Sequence, residues 1–423
     1  MNRSRRIAII GSGISGLAAA RLLDRRHEIT LFEAADRLGG HTHTVEVDGP
    51  DGSHDVDTGF IVFNPTSYPN FVCLLEQLGV ESRRTSMTFS VHSERSGLEY
   101  GGGGWQRIFA QRRNLVRPRF HRMLLEIRRF YREASELLED DGQEPTLAEY
   151  VERKGFSKDF VDEHLIPFGA AIWSASTQDI RQFPARFFVQ FFANHGFLSL
   201  RKPEWRVIAG GSTQYLEPLT APFAERIRLR APVQQIRRRP IANGDAGGVD
   251  VTLVGGGVET FDDVVLAVHT DQALALLADP SRQECDILSS MGYQENHVVL
   301  HTDVSRLPRS RRAWSSWNYR VPVNEQDRVT VTYNMNMLQG LTSQQTYCVT
   351  LNDTDGIDPR RILREFVYHH PRYTRDFVAA QRRRSEIDGV RHTHYCGAGW
   401  GYGFHEDGVV SALQVARRFG EEL

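Results

Sequence analysis

The chain has 423 residues, 51 Lys plus Arg against 53 Asp plus Glu, and a formal net charge of -2. That length allows two domains or one large two-part unit, and the balanced charge removes any global pull toward nucleic acid. Cys73, Cys285, Cys348 and Cys396 show no C-x-x-C spacing, so free thiols in a reducing compartment are expected rather than a disulfide framework or a zinc site.

The first predicted element is a short apolar strand over residues 7–10. It turns at Gly11-Ser12-Gly13-Ile14-Ser15-Gly16 and runs into a helix over 17–23. Gly11 permits the tight turn and Gly13 lets the backbone approach a pyrophosphate. Gly16 lets helix and strand pack closely, while the helix N-terminus faces the phosphate charge, which puts Ile14 and Ser15 of the turn in the cofactor-binding set. A second strand over 29–32 ends on Glu33, followed by Ala34. A carboxylate there accepts from both ribose hydroxyls and disfavours a 2′-phosphate. A lone G-x-G-x-x-G is weak, but this one follows a strand, opens a helix and has its acid at the right distance. A bound dinucleotide is therefore expected. Arg3, Arg5 and Arg6 precede only four apolar residues, too few for a signal-peptide core.

After residue 60 the pattern changes. Residues 105–138 read as helix dense in Arg, including Arg112, Arg113, Arg117, Arg119, Arg122, Arg128, Arg129 and Arg132. Apolar residues between these charges make a basic amphipathic pattern, suited to docking on anionic lipid or to packing inward beneath a solvated basic face. Peripheral membrane contact through residues 105–135 is one expectation. No apolar run approaches membrane-spanning length, and a cytoplasmic location is expected. Helical periodicity continues over 147–165, and an aromatic-rich stretch over 167–197 contains Asn194-His195-Gly196.

Strand and helix then alternate again: a strand at 207–208 before Gly210-Gly211-Ser212, a helix over 215–223, a hairpin-like pair over 227–236 and 249–254, a strand over 264–267 and a helix over 271–277. A mostly strand-like excursion covers 296–350. A strand over 394–396, a turn over 397–403 and a last helix opening at Gly408 end the chain. This interleaving predicts an α/β fold: a Rossmann-like, doubly wound domain assembled from residues 1–60, 205–275 and 390–423. Residues 61–204 and 276–389 would form an inserted α+β substrate domain.

Glu33, Arg37, Gly39 and Gly40, followed by Asp57-Thr58-Gly59, resemble the extended signature of FAD enzymes of the amine oxidase, phytoene desaturase and protoporphyrinogen oxidase superfamily. The resemblance implies non-covalent FAD, with the bare backbone of Gly39-Gly40 passing near its flavin side. It places His41, Thr58 and Gly59 in the cofactor set and Val233 against the adenine. Gly397, Gly408 and Val409 would stand at the flavin edge, where a helix N-terminus stabilises negative charge on the reduced ring. Two positions depart from the pattern: His41 stands where relatives often carry Arg, and Ala398 where many carry an acid.

A narrower resemblance rests on Asp57-Thr58-Gly59-Phe60, Ala170-Ala171-Ile172-Trp173-Ser174, Trp317-Asn318-Tyr319 and Gly403-Phe404-His405-Glu406-Asp407-Gly408. These segments resemble a bacterial group of NAD/FAD-binding proteins similar to the flavin domain of plant cyclopropane fatty acid synthases. That likeness implies a lipid or fatty-acyl substrate and a lipid methyltransferase as a partner.

His405, Glu406 and His195 are the candidate catalytic residues, each able to take the proton that accompanies hydride loss; Asp407 reads as a helix cap. Trp173, Trp317, Tyr333, Trp400 and Tyr402 are candidates for an apolar substrate pocket. His41 and His43 lack a nearby third ligand, so no metal is expected. The resemblance implies hydride transfer from an acyl carbon, methyl-branched chains included, to FAD N5. It also leaves open amine oxidation, but that family commonly places a Lys late in the chain and none follows Lys202. A carotenoid-type FAD oxidoreductase and a non-catalytic flavoprotein partner of a lipid methyltransferase fit the same residues.

Overall fold

The computed structural model describes residues 4–139, 144–198, 203–240, 247–323 and 328–423. Strand Arg6–Ile10 is the middle of a five-stranded parallel sheet. The order is Thr393–Tyr395, Asp263–Leu266, Arg6–Ile10, Glu28–Phe32 and Ile227–Arg228. Ile9 stands between Val265 and Leu31. These strands read as continuous apolar runs because both sheet faces are covered. Ile7, Ile9, Ile29 and Leu31 share one buried cluster with helices Ile14–Leu23 and His405–Arg418. Ala8, Ile10 and Phe32 face the other way, into a cluster that includes Val249, Val251 and Phe261. Those last residues belong to a three-stranded antiparallel sheet, Val233–Arg239, Gly248–Leu253 and Val258–Phe261. The alternation follows from the two-residue period of a strand.

The segment 227–236, predicted as one strand, is two. Ile227–Arg228 extends the parallel sheet, Arg230 then adopts φ 51°, and the chain resumes past Pro232 as the antiparallel strand Val233–Arg239. Proline has no N–H for a ladder, so the break falls where the sequence places it.

A second sheet has seven strands in the order Ile362–Pro371, Tyr293–His301, Cys348–Leu351, Val331–Asn334, Trp317–Val321, Phe89–Ser93 and Glu99–Gly101. Its pairs are antiparallel except that Trp317–Val321 runs parallel to Phe89–Ser93. Strand Ile362–Pro371, an edge strand with mostly half-exposed residues, lies beyond the strand-like stretch recognised in the sequence. Helices Ile166–Trp173 and Ala185–Asn194 carry the aromatic stretch into the core, where Phe188 stacks on Phe192 at 4.4 Å.

Residues 105–138 are not one helix. They form Trp105–Ile108, a 3-10 turn Arg112–Val116, helix Pro118–Glu133 and a short helix Glu136–Glu139. Pro118 opens its helix because its missing N–H costs nothing in the first turn. Phe120, Met123 and Phe130 turn inward and are buried, so the apolar face of this helix packs on the core. Among the described residues, no helix is long and apolar enough to cross a membrane.

Candidate active site

A cavity of about 720 Å³ runs from the carboxyl ends of the parallel strands into the second sheet's aromatic wall. That size lies in the range of cofactor and ligand sites. Gly11 starts the loop at its nucleotide end with φ 101°, and a Cβ there would meet the Ala267 carbonyl at 2.7 Å. A Cβ on Gly16 would sit 2.0 Å from the Gly11 carbonyl oxygen, so Gly16 is a packing residue and does not line the cavity. A Cβ on Gly13 would meet nothing within 4 Å. Gly13, Ile14 and Ser15 line the cavity at the helix start, where free N–H groups and the helix dipole suit a diphosphate.

Glu33 and Ala34 line the same end. One Glu33 oxygen accepts from the Ser12 N–H at 2.9 Å and the Ser12 hydroxyl at 2.5 Å; the other accepts from the Ala35 N–H at 2.8 Å. The carboxylate thus braces the glycine loop and keeps acceptor capacity for ribose hydroxyls. Gly39, Gly40, His41, Gly59, Val233 and Gly397 also line the cavity. The buried Nε2 of His41 has no hydrogen-bond partner in the protein. This orphaned nitrogen, the open face of Gly13 and the brace at Glu33 fit a bound FAD.

Besides Gly16, four candidate cofactor residues stand outside the cavity lining. Arg37 donates to the carbonyls of Gly40 at 2.9 Å and Thr42 at 3.2 Å, so it folds the glycine-pair loop from behind. The Thr58 hydroxyl is taken by the His43 carbonyl at 3.1 Å and the Tyr368 hydroxyl at 2.8 Å. Gly408 and Val409 do not open the last helix. That helix begins at His405, and the Gly408 N–H is already bonded to the Phe404 carbonyl at 3.0 Å. A Cβ on Gly408 would come within 2.8 Å of Ile14 Cγ2, and Val409 is fully buried. Both serve the crossing of the first and last helices. The Gly210-Gly211-Ser212 turn is likewise held by Asp57, whose carboxylate accepts from the Ser212 N–H and hydroxyl, both at 2.8 Å.

The middle of the cavity is a histidine wall that the sequence did not reveal. His41, His269 and the adjacent His369 and His370 of strand Ile362–Pro371 come from three separate parts of the chain and all line it. His269 stacks on Tyr293 at 4.2 Å, and His41 meets His370 at 5.3 Å. Burial first, then competition with the neighbouring histidines for a proton and, for His41, the Arg37 charge, holds His41 and His269 down at about 4 and His370 at about 3. These three rings are neutral at pH 7 and can donate or accept hydrogen bonds without placing charge on the wall.

The far end is aromatic. Trp317 and Tyr333 are a cross-strand pair with rings 5.3 Å apart. The Trp173 indole donates to the Tyr402 carbonyl at 3.2 Å, which ties the helix end to the C-terminal turn. Trp173, Trp317, Tyr333 and Tyr402 line the cavity, joined by Ile172, Met87 and Trp205. Trp400 does not; it lies under the Arg384 guanidinium, 5.6 Å from the ring centroid, on the other side of the turn.

The three catalytic candidates separate. Glu406 is turned away from the cavity and caps helix Pro69–Gln77. Its carboxylate accepts from the Asn70 N–H at 3.1 Å, the Asn70 amide at 2.6 Å and the Phe71 N–H at 2.9 Å. Those are the groups left free at a helix start. His405 lines the cavity, yet its ring stacks on Phe60 at 3.5 Å and its Nε2 bonds Thr42 Oγ1 at 3.0 Å. Burial holds it well below the usual histidine range. His195 also lines the cavity, at the end of helix Ala185–Asn194. Its Nδ1 lies 3.0 Å from the Phe191 carbonyl; a carbonyl only accepts, so Nδ1 carries the hydrogen and Nε2 is the free acceptor. Burial holds it at about 4. Asp407 accepts from the Phe404 N–H at 2.9 Å, the capping contact its position suggested.

The sequence model of the family described as flavin containing amine oxidoreductase matches residues 14–330, well over half of the chain. Among curated proteins, amine oxidase [flavin-containing] A of Canis lupus familiaris is 37% identical over 82 residues, 19% of this chain and 15% of the relative. Zeta-carotene desaturase of Synechocystis is 40% identical over 77 residues, 18% of this chain and 15% of the relative. The matches thus span about 15% of those relatives' lengths. Among solved structures, a putrescine oxidase variant aligns with TM-score 0.70 at 16% identity over 98% of both chains. A CLA-producing fatty acid isomerase from P. acnes aligns with TM-score 0.70 at 17% identity, over 99% of this chain and 100% of the other.

Proposed function

Because the chain belongs to the flavin-containing amine oxidoreductase family, with FAD as its cofactor, we propose that it is a dehydrogenase acting on the hydrocarbon part of a lipid acyl chain. The observation that carries this reading is the lining of the cavity. Among the described residues, Glu33 at the nucleotide end is the one Asp, Glu, Lys or Arg in it. An amine cation would enter an aromatic end with no carboxylate to pair with, at a large desolvation cost. An acyl chain gains instead, by about 0.8 kcal/mol per buried CH₂. A fatty acid isomerase and a carotene desaturase among the similar proteins are compatible with an apolar substrate.

FAD, when bound, supplies the acceptor for the hydride and its two electrons. The protein's part is placement. The Gly13 loop and the start of helix Ile14–Leu23 hold the diphosphate, and Glu33 holds the ribose. Trp173, Trp317 and Tyr333 wall in the carbon chain and exclude water. His195 takes the proton at Nε2 as the carbon–carbon single bond becomes double, with Nδ1 fixed on the Phe191 carbonyl. Cys396 is fully buried just past strand Thr393–Tyr395, and none of the four cysteines lines the cavity, so no thiol stands where it could bond the flavin.

Lipid profiling of a host with and without the protein tests this reading. The expected result is an acyl species lighter by two hydrogens only when the protein is present. An unchanged acyl profile combined with altered amine pools would overturn it.

A further inference from the structure

The described residues leave ten large apolar side chains exposed, and four of them fall between residues 105 and 125. Trp105 is 70% exposed, Val116 83%, Leu125 66% and Leu115 40%. They are neighbours in space. The Trp105 ring lies 4.4 Å from Phe109, which packs on Phe120 at 5.7 Å and His121 at 5.9 Å. His121 Nε2 donates to the Leu115 carbonyl at 2.8 Å, and Leu125 is one helical turn further along the same face. The short helix carrying Trp105 packs on the turn Arg311–Ala313.

Charge surrounds these side chains. Arg112, Arg119, Arg128, Arg311 and Arg312 are exposed. None of the five forms an ion pair among the described residues. The nearby acids are already committed: Glu126 to Arg122 and Ser157, Glu133 to Arg129 and Arg132, Glu99 to His92 and the N–H groups of Arg309 and Ser310. The inner face of helix Pro118–Glu133 is used by the core, so its amphipathic packing does not account for what remains outside.

We infer that this basic, apolar-studded face docks the protein on an anionic lipid bilayer. The exposed apolar side chains stand among guanidiniums that form no ion pair, a combination suited to a phosphate-bearing lipid surface. The face also adjoins the cavity wall. Met87 lines the cavity, and the hydroxyl of the next residue, Thr88, accepts from Arg107 at 3.2 Å. Gly103 approaches the Thr88 methyl so closely that a Cβ would lie 2.9 Å from it. The docking face therefore lies against one wall of the site. The inference does not depend on the acyl reading, since binding is measured without turnover.

The test is sedimentation of the FAD-loaded protein with vesicles of phosphatidylcholine plus phosphatidylglycerol, and with phosphatidylcholine alone. The expected result is binding to the mixed vesicles, weakened by salt. Combining Arg112→Ala, Arg119→Ala and Arg312→Ala should lower partitioning by about 100-fold, roughly fivefold per guanidinium. Combining Trp105→Ser, Val116→Ser and Leu125→Ser should lower it on both vesicle types, with flavin absorbance unchanged as the check on folding. No binding to the mixed vesicles, equal binding to neutral ones, or unaltered binding by both variants would overturn the inference.

Discussion

Two glycines three residues apart should respond in opposite ways to the same added methyl group. At Gly13 the backbone sits at φ -65° and ψ 172°, open to alanine, and the added Cβ meets nothing within 4 Å. Alanine there restricts the unfolded chain, worth about 0.4–1 kcal/mol, against a comparable loss of N-cap preference. The stability of FAD-free protein should therefore move by less than about 1 kcal/mol. The same methyl projects into the space assigned to the diphosphate and displaces it from the loop's N–H groups. Hydrogen bonds to charged groups are worth about 1.5–3 kcal/mol, so FAD affinity should fall about 10- to 100-fold. At Gly16 the Cβ would stand 2.0 Å from a backbone oxygen, and overpacking of this kind costs about 1–3 kcal/mol or more. Urea unfolding of FAD-free protein and titration with FAD separate the two. Wild-type FAD affinity in Gly13→Ala, or equal loss of FAD-free stability in both variants, would refute the assignment of the loop.

Glu406→Ala should destabilise the protein by about 1–2 kcal/mol, because three donors at the start of helix Pro69–Gln77 lose their acceptor; FAD binding by the folded fraction should persist, as absorbance will show. Trp173→Phe should keep FAD but lower kcat/KM about tenfold, since it removes wall area and the bond to the Tyr402 carbonyl; steady-state kinetics on the acyl substrate checks this. His195→Gln should reduce the rate of hydride transfer in single-turnover assays while leaving FAD affinity unchanged. Buried His164, His195 and His301 are each held at about 4 by burial. Between the unfolded value near 6.5 and that point the unfolded chain binds more protons than the native one. Stability should therefore fall by several kcal/mol as pH drops from about 6.5 to 4, at about 1.4 kcal/mol per unit per group. Flat urea midpoints across that range would contradict it.

The nucleotide end of the site was legible because its chemistry is local. Gly11, Gly13, Gly16 and Glu33 lie within one strand–helix–strand unit, and each residue type answers a constraint visible in the chain. The chemistry past it depends on contacts across long separations. Glu406 reads as a base beside a helix start, but its carboxylate is claimed by a different helix more than three hundred residues earlier in the chain. Trp400 and Tyr402 look alike in the same turn, yet only Tyr402 faces the cavity. The last helix starts three residues before Gly408 because Asp407 caps it from inside, which moves Gly408 from the flavin edge to the helix crossing. The histidine wall left one trace, the His369-His370 pair in an edge strand, and its partners come from elements that only the fold brings together. His41, a departure from the family's usual Arg, is the member of that wall the sequence did reach.

The most direct measurement is anaerobic titration of the FAD-loaded protein with acyl lipids and with primary amines, followed by flavin absorbance. Reduction of the flavin by an acyl lipid, slowed in His195→Gln and absent with amines, is the expected result. Reduction by an amine, with every acyl lipid inert, would contradict the account.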